Sequence, residues 1–213
     1  MKSLDEMLTL VTTAACASMT GVEYASVSIS YGGDDLDTLG ATDPRALKAD
    51  ALQYELREGP CLDALRSAGV RAVVSSADVT TDARWPRYGS RAAELGIAAQ
   101  TALRLPTDAI SAGLNLYSTS PGDLDQQAMA LAQVFAKQAV SVVVLAAQVE
   151  SLAEQLRGRQ TISQAIGMVM ERDELDEQGA FEHLVSLSQA SHVKVRMLAQ
   201  ELVDVANSRS RGS

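Results

Sequence analysis

Aromatic side chains make up only 4% of the 213 residues, with a single Trp and two Phe. A core with so few large rings has to be filled by Val, Leu, Ala and Met. Histidine is as scarce. His183 and His192 stand alone, with no HExxH, no HxxxE and no cysteine beside them, which excludes the usual zinc patterns. Cys16 and Cys61 form no CxxC and read as buried thiols rather than ligands or a disulfide. Cys61 lies in a Gly-Pro turn near Arg57 and Arg66, the one place where a redox-sensing thiol can be argued. GxxxxGK[ST] and GxSxG are absent. The carboxylate pairs Asp34–Asp35 and Asp123–Asp125 fall in turn-like sequence and read as solvated loop acids. The pattern predicts no metal, no cofactor and no catalysis.

Long apolar runs are missing too. The longest, Val142 to Ala147 (VVVLAA), is far shorter than the ~20 residues a membrane helix needs. The opening MKSLDEMLTL carries early acids and does not read as a signal peptide. We expect a cytoplasmic protein with no membrane partner. An excess of positive charge is also lacking: 18 Lys and Arg against 27 Asp and Glu give a net −9. Any nucleic-acid binding must therefore be local rather than a property of the whole surface.

What is present is pattern. Residues 4–19 space apolar side chains at helical intervals, and Gly21 stops them. Residues 24–31 alternate, with Val27, Ile29 and Tyr31 on one side and serines on the other, which predicts a half-buried strand. GGDD makes a turn into a short strand at DLDTLG. Pro44 opens a helix to about Arg57, and REGPCLDAL turns into a short one. Strands follow at 72–75, 98–105 and 112–118, the last two joined by the hairpin-length PTDAIS, with a helix over 89–95. Helices flanking hairpin-linked strands predict an α+β fold with an antiparallel sheet.

From about Leu124 to Glu171 the pattern is helical. Within it Val142, Leu145, Val149, Leu152 and Leu156 follow a heptad spacing. Polar flanks (Gln148, Glu150, Glu154, Gln155, Arg157) favour a coiled-coil dimer seam over a helix packed on its own domain. Two further helices follow, burying Ala180, Phe181, Leu184 and Leu187, then Val195, Leu198, Ala199 and Leu202. Together they predict a small all-α three-helix bundle.

The stretch ISQAIGMVMER has Gly167 in mid-helix, at a cost of about 1 kcal/mol relative to Ala. On a wheel of about 100° per residue, Ile162, Ala165, Ile166 and Val169 share the core face. Gln160, Gln164, Gly167 and Glu171 lie roughly opposite, and Ser163 stacks on Gly167. That surface is flat and polar, with Arg159 on its flank. Lys194 and Arg196 near the start of the last helix, and His192 before it, add to it. Such a patch suits close approach of bases and phosphates. A second helix docking against Gly167 explains it equally well. Residues 151–213 hold seven Lys and Arg against nine Asp and Glu, so bulk attraction for RNA is absent.

RQTISQAIGMVM, GAFEHL and SQASHVKVRMLAQELV, over 159–203, resemble an ANTAR domain, a three-helix RNA-binding module of bacterial transcription antiterminators. The family's small residues fall on Ala165, Gly167, Ala180 and Ala199, its Leu or Met on Met170 and its third-helix Lys on Lys194. Ile166 stands where many members carry Lys, and His192 where Asn is common. Gly179 replaces a better helix former, so a late start of the second helix is expected. REGPCLDAL, DARWPRY, LRLP and AGLNLYS resemble a GAF domain of the kind fused to ANTAR in actinobacteria. The resemblance implies a GAF-like sensor or dimerisation domain over 1–145, a coiled-coil linker over 146–158, an ANTAR domain over 159–207 and a disordered tail over 208–213. It implies RNA binding through Arg159, Ser163, Gln164, Ala165, Gly167, Met170, His192, Lys194 and Arg196, with tandem hairpins in mRNA leaders as the partner of a homodimer. It leaves room for an unknown small-molecule ligand in the GAF pocket. The alternative is a signalling module that docks another protein and does not touch RNA.

Overall fold

The computed structural model describes residues 3–30, 35–67, 72–105 and 110–211. Most of the GGDD turn and the first four residues of PTDAIS lie outside them. Two compact units divide the chain, Met1–Ala146 and Ala147–Ser213.

The N-terminal unit runs α1 (Leu4–Ser18), β1 (Tyr24–Ser30), β2 (Asp37–Leu39), α2 (Pro44–Leu56), α3 (Pro60–Arg66), β3 (Val73–Ser76), α4 (Pro86–Glu94), β4 (Ala99–Leu105) and β5 (Ser111–Ser118). It ends in the first part of α5 (Gln126–Asp173). α1 starts where a capping box can form: Ser3 Oγ accepts the Glu6 amide at 3.1 Å and Glu6 accepts the Ser3 amide at 2.8 Å. The strands pair antiparallel in the order β2-β1-β5-β4-β3. Register places Val27 and Leu103 on either side of Leu114, so one face of the sheet is apolar from strand to strand.

That face packs on α1 and on α5 through Leu8, Ala15, Ala132, Phe135, Ala139 and Val143. The other face carries α2, α3 and α4, with Ala46, Ala49, Trp85, Tyr88 and Ala92 in one cluster and Cys61, Ala64 and Ala102 in another. Covering both faces corrects the half-buried strand expected for β1. Ser26 and Ser28 are fully buried and Ser30 nearly so, because helices lie over the face that alternation alone assigns to solvent.

The C-terminal unit consists of the rest of α5, α6 (Glu177–Ser191) and α7 (Val195–Arg211). α7 continues into the stretch expected as a disordered tail. α5, at 48 residues, is also long and apolar enough to cross a membrane by length and composition, with a window of mean hydropathy 1.7. One such helix is weak ground for a span, and 33% of that window is buried inside the protein.

Gly59, in the REGPC turn, has φ 132, and a Cβ there would stand 2.3 Å from Gln53 Oε1. The same Gln53 oxygen accepts the Cys61 amide at 2.9 Å. Gly59→Ala is expected to lower stability by about 2 kcal/mol or more in urea unfolding. An unchanged midpoint would contradict the fit described.

Candidate nucleic-acid interface

α5 ends with Glu174 in the left-handed region (φ 51), and the Leu175 amide returns to the Met170 carbonyl at 3.2 Å. This is a Schellman closure. Asp176 then caps α6, accepting the Gly179 amide at 2.8 Å. The cap starts α6 at Glu177, ahead of Gly179, so the late start expected from that glycine does not occur. His192 closes α6 at φ 58. Asn tolerates that conformation better than most residues, which gives a backbone reason for Asn at this position in ANTAR sequences.

Three helices meet on Ala165, Val169, Ala180, Leu184 and Ala199, with Ile162, Ile166, Met170, Val195 and Leu202 packed around them. Two residues expected at the interface therefore belong to the core. Ala165 is fully buried, and Met170 packs against the same cluster. Two residues expected in the core are surface residues instead: Phe181 is 45% and Leu187 44% exposed. With Ala180 and Leu184 facing inward, Phe181 is about 100° away from the core direction.

Arg159, Ser163, Gln164, Gly167, His192, Lys194 and Arg196 are all exposed. Nothing in the chain comes within 4 Å of a Cβ added at Gly167. Helix packing inside the protein therefore does not require this glycine. Of the basic side chains described in the C-terminal unit, Arg157 pairs with Glu150 and Arg172 with Asp173, both at 2.7 Å. His183 lies 4.0 Å from Asp173. Arg159, Lys194 and Arg196 have no carboxylate partner among the described residues. Two of the three sit at the amino end of α7, where no acid occupies the first turn. A cation there opposes the helix dipole, at about 0.3–1 kcal/mol. Within α5, the glycine that a side chain does approach is Gly158, on which the stem of Arg196 lies. Sequence reading centred on Gly167 passed it over, although Gly158 is the other glycine of the same helix.

A second polar centre lies in the N-terminal unit, between the sheet and α2. Asp50 is fully buried, and five hydroxyl or amide groups aim at it, Gln53 Nε2 the most distant at 3.5 Å. Ser26 Oγ donates at 2.6 Å, Thr38 Oγ1 at 3.1 Å and Asn115 Nδ2 at 2.8 Å, and the Tyr117 hydroxyl donates closely. Burial pushes the Asp50 carboxyl up to about 6, against the pull of those donors. Tyr54, Tyr88, Tyr117 and Cys61 face the same region, and burial raises all four, Cys61 to about 12. A buried thiol held protonated is a poor nucleophile, so the redox reading of Cys61 has no support. Gln100 Nε2 and Asn115 Oδ1 are buried without a protein partner. A cavity of about 10 Å³ beside Gln100 and Tyr117 has room for one water. A larger cavity, about 210 Å³, lies on the other face of the sheet against Gln133, Ala136 and Lys137 of α5.

REGPCLDAL and DARWPRY are clasped together. Arg87 Nε donates to Glu58 at 2.7 Å, the amides of Arg87 and Tyr88 reach the same carboxylate, and Trp85 Nε1 donates to Asp63 at 2.9 Å. The charged residues of both segments thus hold α3 against α4, and no reacting group is assembled there.

An antiparallel five-stranded sheet with helices on both faces, followed by a helical bundle with an unpaired basic patch, defines a sensor-type regulatory protein. Family comparison matches residues 1–144 to the GAF domain and residues 150–203 to the ANTAR domain, and the chain belongs to the GAF–ANTAR proteins. Both are regulatory rather than catalytic domains. No curated protein matches the chain. Among solved structures, it is similar to a domain of a protein described as a two-component sensor histidine kinase from Sinorhizobium meliloti, at 14% identity and TM-score 0.55, covering 73% of this chain and 99% of that one. A GAF domain of a Synechocystis protein in its photoproduct state gives 14% and 0.52, covering 71% and 98%. A free methionine-R-sulfoxide reductase from Neisseria meningitidis gives 13% and 0.51, covering 69% and 81%. At these identities the likeness speaks for the fold alone.

Asp50 supplies a pH test with an unusual sign. Its folded carboxyl holds the proton more tightly than an ordinary one. The stability it contributes is full below pH ~4 and is lost as pH rises through ~6, by on the order of 3 kcal/mol. Asp50→Asn should flatten this step in unfolding measured between pH 4 and 7. A difference between the wild type and Asp50→Asn that stays constant over the same window would show that Asp50 titrates as an ordinary acid.

Proposed function

We propose that this chain is an RNA-binding transcription antitermination regulator. In this reading its ANTAR unit grips a hairpin loop in nascent mRNA, and the paired units of a homodimer hold two such hairpins and prevent a terminator from forming. The single observation that carries the site assignment is the set of unpaired cations Arg159, Lys194 and Arg196, in a unit whose other basic side chains are neutralised or lie outside the described side chains. Ser163, Gln164 and the open surface at Gly167 supply the flat polar approach for a loop, and His192 caps the helix beside them. With three unpaired cations among the described side chains of each unit, a single grip is weak, and tethering two raises the effective concentration of the second. Acting on nascent transcripts places the protein in the cytoplasm.

The homodimer rests on the heptad seam. Leu145, Leu152 and Leu156 are 56%, 59% and 65% exposed, and Val149 is half-buried, a row that a second copy of the same helix covers. Val142, at the head of the row, already packs against its own sheet. The N-terminal unit acts as the dimerising scaffold, and the polar centre around Asp50 is filled by the chain's own side chains rather than by a small-molecule ligand. The alternative, docking to a protein without RNA contact, draws on the exposed Phe181.

A gel-shift titration with a tandem-hairpin RNA and its single-hairpin half tests the first reading. Tight binding to the tandem RNA only, lost in loop mutants and weakened by salt with a slope of about −2 per bound unit, is expected. Gly167→Arg should abolish it with the fold intact. No binding of the folded wild type to either RNA at low salt would point to the protein-docking alternative. Leu152→Lys with Leu156→Lys should halve the mass in sedimentation and remove the preference for tandem over single hairpins. A dimer that persists would place the interface elsewhere.

A further inference from the structure

Resting on the RNA-binding reading, we propose that Gly158 is a positioning residue for Arg196: its bare backbone is a seat for the arginine stem, and that seat aims the guanidinium at RNA phosphate beside Arg159.

Gly158 lies inside α5 with ordinary helical backbone, so no turn or positive φ asks for glycine there. Left to propensity, Ala would be better by about 1 kcal/mol. A Cβ at Gly158 would stand 3.3 Å from Arg196 Cδ and 4.0 Å from Cγ. The missing side chain is thus space that a residue of α7 occupies. Gly167 in the same helix has nothing within 4 Å, so the contact at Gly158 is not a general property of glycine in α5.

Arg196 has no ionic partner and is exposed, and it sits near the amino end of α7 against the dipole. Neither salt bridge nor helix electrostatics holds it. What restricts it is the apolar stem lying on a flat strip of backbone. An arginine carries about 2 kcal/mol of rotamer entropy, and a stem already confined loses less on binding. The seat is the residue before Arg159 in α5, so the Arg196 stem reaches the turn that carries a second cation without a carboxylate partner. Bidentate pairing of a planar guanidinium suits phosphate.

Four variants of the full chain test this: Gly158→Ala, Gly158→Leu, Arg196→Ala and the double Gly158→Leu/Arg196→Ala. The probe is a labelled tandem-hairpin RNA selected for binding to the wild type from a pool with randomised loops. Ala should push the stem by a few tenths of an ångström and weaken binding about twofold, whereas Leu fills the seat and should weaken it about tenfold, as Arg196→Ala does. In the double variant the Leu change should add nothing, because the side chain it displaces is gone. Gly158→Leu and Arg196→Ala should each lower the salt slope by about one per unit, while melting temperatures of the Gly158 variants stay at or above wild type. Wild-type affinity in Gly158→Leu alongside a weakened Arg196→Ala would overturn the seat while leaving RNA binding in place. So would a Leu effect that persists in full in the double variant. Failure to select any RNA with the wild type would overturn the RNA reading and this proposal with it.

Discussion

One helix has to satisfy two separate cores. α5 gives Ala132, Phe135, Ala139 and Val143 to the sheet of the N-terminal unit, and Ile162, Ala165 and Val169 to the bundle of the C-terminal unit. Between those stretches the same backbone ladder continues with only Leu145, Val149, Leu152 and Leu156 on its apolar side, and no residue of its own chain covers the leucines. Losing either packing stretch of the helix would leave its unit without one wall of its core. Its mean composition hides this, because apolar faces serving different neighbours average out along its length.

In the N-terminal unit the second constraint is a buried carboxylate. Asp50 draws hydroxyl and amide donors from β1, β2 and β5 to one point. Such a network is costly if any member is missing and specific when all are present. It also fills the region between the sheet and α2 with the chain's own polar atoms. The surface ion pairs of Arg87 with Glu58 and Arg84 with Asp82 are exposed on the arginine side and add little stability by themselves. Their role is geometric: they fix the turns that carry Trp85 and Tyr88 into the core.

The C-terminal unit works with little charge. Arg157 and Arg172 are cancelled by neighbouring acids, which leaves Arg159 on α5 and Lys194 and Arg196 at the amino end of α7. In the proposed reading, an interface built this way depends on shape and on pairing of two copies more than on long-range attraction. A modest basic patch, flat backbone and exposed seam leucines belong together in that account.

Element order, the β4–β5 hairpin and the three C-terminal helices were legible in the sequence, because period and turn residues are local signals. Pro44 and Pro60 each open a helix as read, alternation marks β1, and α4, expected over 89–95, starts earlier at Pro86. ANTAR and GAF resemblance rested on segments whose residues are likewise local. What alternation could not say is whether a strand's second face meets water or helices, so the buried serines of β1 emerged only from tertiary packing. The interface was half legible. Arg159, Ser163, Gln164 and Gly167 follow from one helix wheel, which also sets Ala165 on the core face against the role the resemblance implies, whereas Met170 inward and Phe181 outward emerged once a second and third helix fixed the core direction. Gly158 could not be read at all without α7, since a glycine announces only a missing side chain. Sequence determines which faces each element offers; which face is covered, and by what, is decided by neighbours distant in the chain.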